Sequence, residues 1–89
     1  MTNEQLKELA AQLVQRGEML STAESCTGGG IAHVVTELAG SSAWFDAGFV
    51  TYSNSAKQCM LHVSASTIER FGAVSDAVVR EMALGAIQQ

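Results

Sequence analysis

The first part of the chain places its apolar residues with the period of an α-helix. Thr2 and Gln5 have the spacing of a capping box, in which each side chain satisfies a free backbone N–H at a helix start. Gly17 stands where the left-handed residue after a helix is expected. The pattern predicts a helix over residues 3–16, with one buried face formed by Leu6, Leu9, Ala10, Leu13 and Val14.

Two short segments have the composition of strands. Residues 19–24 are mixed in character but lie between Gly17 and a run of glycines, and residues 44–52 are rich in aromatic and β-branched side chains. Between these strands we expect a second helix that ends at Gly40. Its apolar residues are Ile31, Ala32, Val34, Val35, Leu38 and Ala39.

Three further helices are predicted after the second strand. Asn54 is expected to cap the first of them. Ser66 and Glu69 have the spacing of a capping box for the next, which Gly72 closes. Ser75 is expected to cap the last helix. The apolar side of that helix carries Val78, Val79, Met82, Ala83, Ala86 and Ile87.

The order of elements, α-β-α-β-α-α-α, predicts an α/β fold of the layered α/β/α type. It supplies only two credible strands, whereas a stable sheet generally needs three or more. The last helix also reaches residue 89 without a capping glycine or a basic last turn. We therefore expect residues 1–89 to form a single, incomplete domain, truncated after its first strands and helices.

Composition and charge narrow the classes of partner. The net charge is −4 with only 5 Lys and Arg, which are scattered, and this argues against nucleic acid, since phosphate backbones require clustered cations. An anionic small molecule stays possible, because backbone amides can bind it. Cys26 and Cys59 lack metal-ligand spacing and are interpreted as free thiols. With an acidic, amphipathic start and no long apolar run, the predicted location is cytoplasmic, without a membrane partner.

The sharpest local motif is TAESCTGGG at residues 22–30, between the first strand and the second helix. Its glycines let the backbone approach a ligand, and the helix offers free N–H groups. Ser25 and Thr27 add hydroxyls, so the junction suits a phosphate, a carboxylate or an oxyanion. Glu24 is either an acid near this site or a carboxylate that caps the loop. On the pattern alone, a simple tight turn is favoured.

Three polar residues surround the second strand. Ser42 precedes it, Tyr52 ends it and Lys57 opens the next helix. If the strand is central, Tyr52 and Lys57 lie at its carboxyl end, where open α/β sheets bind their ligands. A partly desolvated lysine there could activate a serine hydroxyl. Spacing alone favours the simpler alternative of a loop serine, a half-buried tyrosine and a solvated lysine.

Three stretches in register carry a family resemblance: TAESCTGGGIA, ELAGSSAWFDAGFVTYSNSAK and GAVSDAVVREMA. Together they resemble the amino-terminal half of the CinA carboxy-terminal-domain family of nicotinamide-nucleotide amidohydrolases. The resemblance implies hydrolysis of the carboxamide of nicotinamide mononucleotide, giving nicotinic acid mononucleotide and ammonia in pyridine-nucleotide salvage. It implies no metal and no organic cofactor.

The resemblance also implies roles for individual residues. Ser42 corresponds to the nucleophile and Lys57 to its general base, so that neutral Lys57 takes the serine proton and the alkoxide attacks the carboxamide. Ammonia then leaves, and water hydrolyses the nicotinoyl ester. Tyr52 and Ser25 match supporting hydroxyls: Tyr52 relays a proton or orients the lysine, and Ser25 holds the carboxamide or the oxyanion. The substrate-binding turn corresponds to Thr27, Gly28, Gly29 and Gly30, with Glu24 beside it.

Two other functions remain open at this point. The chain could be a non-catalytic regulatory or assembly module of the competence-associated type, or an inactive piece of the enzyme. The joint presence of Ser42, Tyr52 and Lys57 favours the enzyme. An unpaired sheet edge beside the second strand also predicts a homo-oligomer, and we expect the 89-residue chain alone to be neither a stable monomer nor active.

Overall fold

The computed structural model describes residues 1–89 and confirms the α/β class and the predicted order of elements. The two strands are parallel and adjacent. The elements are α1 (Asn3–Arg16), β1 (Leu20–Ser25), α2 (Gly30–Thr36), a 3₁₀ turn (Ser41–Ala43), β2 (Phe45–Thr51), α3 (Asn54–Leu61), α4 (Ala65–Phe71) and α5 (Asp76–Gln88).

The register of the sheet determines which side chains share a face. Leu20 lies opposite Phe45 and Ser21 opposite Ala47, so Asp46 is an extra residue that forms a bulge. Side chains then alternate along each strand. The last pair is Ser25 with Thr51. These two residues mark the carboxyl edge of the sheet, where both strands end.

Helices cover both faces of this small sheet, which is the layered α/β/α arrangement. On one face, α1 and α2 pack around the buried Trp44 at the start of β2, in a core formed by Leu6, Ala10, Val35 and Trp44. On the other face, α3, α4 and α5 pack over Ala23 and Phe49. The core of this second layer is formed by Leu61, Val63, Val78, Met82 and Ala86.

The close crossing of α5 over the end of α3 depends on one glycine. A Cβ atom added at Gly85 would overlap the carbonyl oxygen of Leu61. Only a residue without a side chain lets the two helices approach this far. This contact fixes α5 relative to α3, and so fixes how the helical layer sits on the sheet.

The caps of the first and last helices confirm their predictions. The Thr2 hydroxyl accepts a hydrogen bond from the Gln5 backbone N–H at 3.1 Å, and the Gln5 side chain accepts one from the Thr2 N–H at 2.9 Å. Gly17 ends α1 with φ at 67°. Ser75 caps α5, since its hydroxyl accepts from the Val78 N–H at 3.3 Å.

Two predicted caps are wrong. Asn54 is already helical, and Ser53, which is extended, caps α3 by accepting from the Ala56 N–H at 3.0 Å. Ser66 also lies inside α4, which begins at Ala65, so the capping box with Glu69 does not form. Glu81, from α5, takes over part of that function. Its carboxylate accepts from the backbone N–H of Ser64, the N-cap residue, at 2.8 Å.

The second helix is shorter than predicted. It ends at Thr36, whose hydroxyl donates to the carbonyl of Ala32 at 2.7 Å, and a turn then leads to Gly40 with φ at 81°. Such bonding from a threonine back to the preceding turn competes with continuation of a helix. None of the helices is both long and apolar enough to cross a lipid bilayer.

Candidate active site

The carboxyl edge brings together most of the residues singled out from the sequence. Ser25 ends β1 directly opposite Thr51, at the roughly 4.8 Å spacing of neighbouring strands. Tyr52 follows Thr51, and Lys57 lies in the first turn of α3 just beyond it. The Lys57 Nζ donates to the carbonyl oxygen of Tyr52 at 3.3 Å. The topology of the two parallel strands therefore gathers a lysine and a serine at one edge.

Glu24 is the most tightly held side chain at this edge. It is 2% exposed, and its carboxylate accepts from the Thr27 hydroxyl at 2.7 Å, the Ile31 N–H at 2.7 Å and the Ala32 N–H at 2.9 Å. Burial raises the pKa of Glu24, but the bonds from Ala32, Ile31 and Thr27 outweigh it and leave the pKa below its ordinary value. Of its two interpretations, Glu24 is the carboxylate that caps the loop.

This arrangement changes the prediction made for the glycine turn. The free N–H groups of Ile31 and Ala32, at the start of α2, were expected to be available to an anionic ligand. Both are bonded to Glu24 instead, so a ligand phosphate cannot use them while that carboxylate stays in place. The physical reason is that the chain supplies its own anion to these amides.

The glycines and Cys26 give the turn its shape. Gly28 and Gly29 both have positive φ, at 63° and 94°, and a Cβ on Gly29 would come within 3.3 Å of Val50. Cys26 also has a positive φ, 69°, which is uncommon for a residue with a side chain. No sequence signal predicted this conformation. It turns the chain sharply between Ser25 and Thr27.

Lys57 is not the solvated helix residue of the simpler alternative. Its side chain is buried, at 2% exposure, and the carbonyl of Tyr52 is the one acceptor that it contacts. An ammonium group can donate three hydrogen bonds. The Tyr52 ring is exposed, so this residue reaches Lys57 through its backbone while its phenol faces outward.

Ser42 does not join the other residues within one chain. It is exposed in the 3₁₀ turn before Phe45, whereas Lys57 follows Thr51. The seven residues of β2 lie between them, and a strand of that length spans about 20 Å. Within one chain a whole strand therefore separates Ser42 from Lys57, and their action as one catalytic unit stays a prediction.

A cavity of about 570 Å³ lies between β1 and α5. Its polar part is at the carboxyl edge, where Glu24, Ser25 and Thr27 line it, and its apolar part is the side of α5 that includes Met82 and Ile87. No lysine or arginine lines this cavity. The chain also has no group of three or more His, Cys, Asp or Glu side chains that could hold a metal ion.

Comparison with known proteins extends this picture. The family described as the CinA C-terminal domain matches residues 2–89. The nicotinamide-nucleotide amidohydrolase PncC of Enterobacter agglomerans is 60% identical over 80 residues, which cover 90% of this chain and 49% of that protein. PncC of Escherichia coli K12 is 53% identical over 92 residues, covering 99% of this chain and 56% of the relative. The chain thus spans about half the length of the curated relatives that it matches.

Two solved structures and one longer relative give further comparisons. The competence/damage inducible protein CihA of Agrobacterium tumefaciens superposes with a TM-score of 0.90 at 50% identity, over 96% of this chain and 52% of that one. A CinA superfamily protein of E. coli gives a TM-score of 0.91 at 36% identity, over 99% and 54%. A CinA-like protein of Parasynechococcus marenigrum is 51% identical over 89 residues, which make up only 21% of its length.

Proposed function

This chain belongs to the family of the CinA C-terminal domain, and on that premise we propose that the complete protein hydrolyses the carboxamide of nicotinamide mononucleotide to nicotinic acid mononucleotide and ammonia. The observation that carries the proposal is the buried Lys57 at the carboxyl edge. A lysine is almost never fully buried without a charged partner, and Lys57 forms no ion pair. Such a side chain is well suited to move a proton for a serine nucleophile.

The proposed reaction is an acyl transfer to serine followed by hydrolysis. The Lys57 amine takes the hydroxyl proton while the serine oxygen forms a bond to the carboxamide carbon. The lysine then returns the proton to the leaving nitrogen, the C–N bond breaks and ammonia departs. Water then attacks the nicotinoyl ester while Lys57 takes a proton from it, and as the ester C–O bond breaks and the acid leaves, Lys57 returns that proton to the serine oxygen. The sequence of steps requires no metal or organic cofactor.

The other residues of the carboxyl edge have supporting roles in this scheme. The carbonyl of Tyr52 holds the Lys57 Nζ at 3.3 Å and so orients the base, while the exposed phenol faces the incoming nucleotide. The Ser25 hydroxyl binds the carboxamide or its oxyanion. The turn of Thr27, Gly28, Gly29 and Gly30 shapes the wall of the site, and Glu24 holds that turn in place.

The nucleophile in this proposal is Ser42, supplied by a second copy of the protein. Within one chain, the length of β2 separates Ser42 from Lys57. Ser42 is exposed on a short turn, so a neighbouring copy in a homo-oligomer can present it to Lys57. The competing arrangement within one chain uses Ser25 as the nucleophile, because Ser25 shares the carboxyl edge with Lys57.

Ammonia release from nicotinamide mononucleotide by the complete protein tests the function. Turnover that is abolished by Lys57→Ala supports it, and an inactive complete protein that is folded contradicts it. A second candidate function is a non-catalytic assembly module, and the occurrence of a similar segment within a much longer CinA-like protein favours it. Ammonia release that depends on Lys57 in the same assay decides against this second candidate. The proposal places the reaction in the cytoplasm, where exposed thiols such as Cys26 and Cys59 stay reduced.

A further inference from the structure

A negative charge is built into the wall of the cavity at the carboxyl edge. Glu24 lines the cavity together with Ser25 and Thr27, and its carboxylate is held by three hydrogen bonds from Thr27, Ile31 and Ala32. All three donors are uncharged, so they fix the carboxylate in place without cancelling its charge. The pKa of this group is below its ordinary value, which keeps it ionised at neutral pH.

No cationic side chain forms a salt bridge with Glu24. The salt bridges of Lys7 and Arg16 are made with exposed carboxylates on α1 and just after it, and Arg70 lies over the ring of Phe71. Arg80 is exposed on α5 and is not part of the cavity lining. Lys57 belongs to the layer of α3 and directs its Nζ to a backbone carbonyl. A ligand at this edge therefore meets a buried carboxylate that is held by neutral donors and forms no salt bridge.

The geometry points to Glu24 as a specificity-determining residue that makes the carboxyl edge bind a neutral carboxamide in preference to a carboxylate. This inference rests on the proposed function, because hydrolysis converts the neutral amide of the substrate into an anionic acid. The product thereby acquires the same sign of charge as the cavity wall. Glu24 favours the amide substrate over the acid product and promotes release of the product.

The expected size of this preference follows from elementary electrostatics. Glu24 is 2% exposed, so mobile ions screen its charge less than that of a surface residue. Two like charges several ångströms apart in a partly buried site repel enough to change affinity on the order of tenfold. The same repulsion directs the phosphate of the nucleotide away from this edge.

Equilibrium binding to the complete protein tests the inference. Titration calorimetry compares nicotinamide mononucleotide with nicotinic acid mononucleotide, which differ only at the amide, in a Lys57→Ala background that prevents turnover. We expect the acid to bind about tenfold more weakly than the amide, and Glu24→Gln to reduce that ratio to about threefold or less. Glu37→Gln is the matched control, since it removes the same charge from an exposed position at the far end of α2 and should leave the ratio unchanged.

Two results would overturn the inference: equal affinity of the Lys57→Ala protein for amide and acid, or an unchanged ratio when Glu24→Gln is added to that protein and it stays folded. The first comparison needs no substitution of Glu24, so it decides the matter even if that variant does not fold. Ammonia release is measured separately. If the protein prefers the amide but releases no ammonia, the proposed function is wrong and this inference stands. If it releases ammonia but binds amide and acid with equal affinity, this inference is wrong and the proposed function stands.

Discussion

Ser42 and Lys57 stand at opposite ends of β2, the first in the turn before Phe45 and the second in the helical turn after Thr51. Their separation of about 20 Å along the strand excludes direct proton transfer inside one chain. A serine–lysine pair made of these two residues must therefore combine two copies, each giving one member. This relationship links the proposed nucleophile, Ser42, to the oligomeric state.

Mixing two inactive variants of the complete protein should restore activity. Ser42→Ala and Lys57→Ala should each lose nearly all turnover. When the two variants are co-expressed, a mixed dimer has one intact site, so random pairing should recover about a quarter of the parental rate of ammonia release. Mixing Ser42→Ala with the double variant should recover nothing. If the two single variants also fail to complement each other, the site lies within one chain and Ser25 becomes the candidate nucleophile.

Glu24 should stabilise the fold in a pH-dependent way. Its pKa in the folded protein is below the ordinary value, so its contribution is present above the ordinary pKa and is lost as the pH falls through the folded value. Glu24→Gln should therefore lower the melting temperature of the complete protein at pH 7, and the difference between variant and parent should shrink below about pH 4. Thermal melts across this range measure the effect. A difference that is constant with pH would contradict the assignment.

The local features of this chain were predictable, and the contacts between distant residues were not. The periodicity of α1 and its caps, Thr2 and Gly17, gave the bounds of that helix because all the partners lie within a few residues. The α4 N-terminus instead uses Glu81, seventeen residues beyond Ser64, and no spacing rule predicts such a partner. The sequence limited Glu24 to two possible roles, and only the fold shows where its carboxylate points.

The candidate site shows the same difference between local features, which the sequence predicts, and contacts between distant residues, which it does not. Tyr52 and Lys57 were expected at the carboxyl end of the second strand, and the parallel pairing of β1 with β2 brings Ser25 to the same edge. The distance of Ser42 from this edge could be inferred from the sequence, since a whole predicted strand separates it from Lys57. The burial of Lys57 could not be inferred from the sequence, because it depends on how α3 packs against the sheet and α5.

Gly85→Ala should be strongly destabilising. The added Cβ would overlap the Leu61 carbonyl, and backbone atoms of two packed helices cannot move apart without disturbing the core. We expect a loss of about 3 kcal/mol in the free energy of unfolding of the complete protein. Gly30→Ala is the control, since its Cβ would meet only the Thr27 Cβ at 3.9 Å and should change stability by less than about 1 kcal/mol. Equal urea midpoints for the two variants would show that α3 and α5 do not cross this closely.

Two buried threonines on neighbouring strands should respond in opposite ways to the same substitution. The Thr22 hydroxyl is buried without a hydrogen-bond partner, so Thr22→Val should stabilise the complete protein by about 1 kcal/mol. The Thr51 hydroxyl donates to the carbonyl of Glu24 at 3.2 Å, so Thr51→Val should destabilise it by about 1 kcal/mol. Urea unfolding of both variants measures the contrast. A loss of stability in Thr22→Val equal to that in Thr51→Val would show that the Thr22 hydroxyl is bonded in solution.

The 89-residue chain, produced by itself, should associate through the outer edges of its sheet, that of β2, as expected from the sequence, and that of β1. That strand pairs only with β2, so its other edge presents free backbone N–H and C=O groups. The cavity beside it is lined by exposed apolar side chains, Ile31, Val74, Val79 and Ile87, which favour burial against another chain. Two strands provide little cohesion of their own. We therefore expect oligomers in size-exclusion chromatography with light scattering, and ammonia release from nicotinamide mononucleotide at background. A monomer that melts cooperatively and turns over substrate would contradict both parts, because it would show that residues 1–89 already contain a complete core and a complete site.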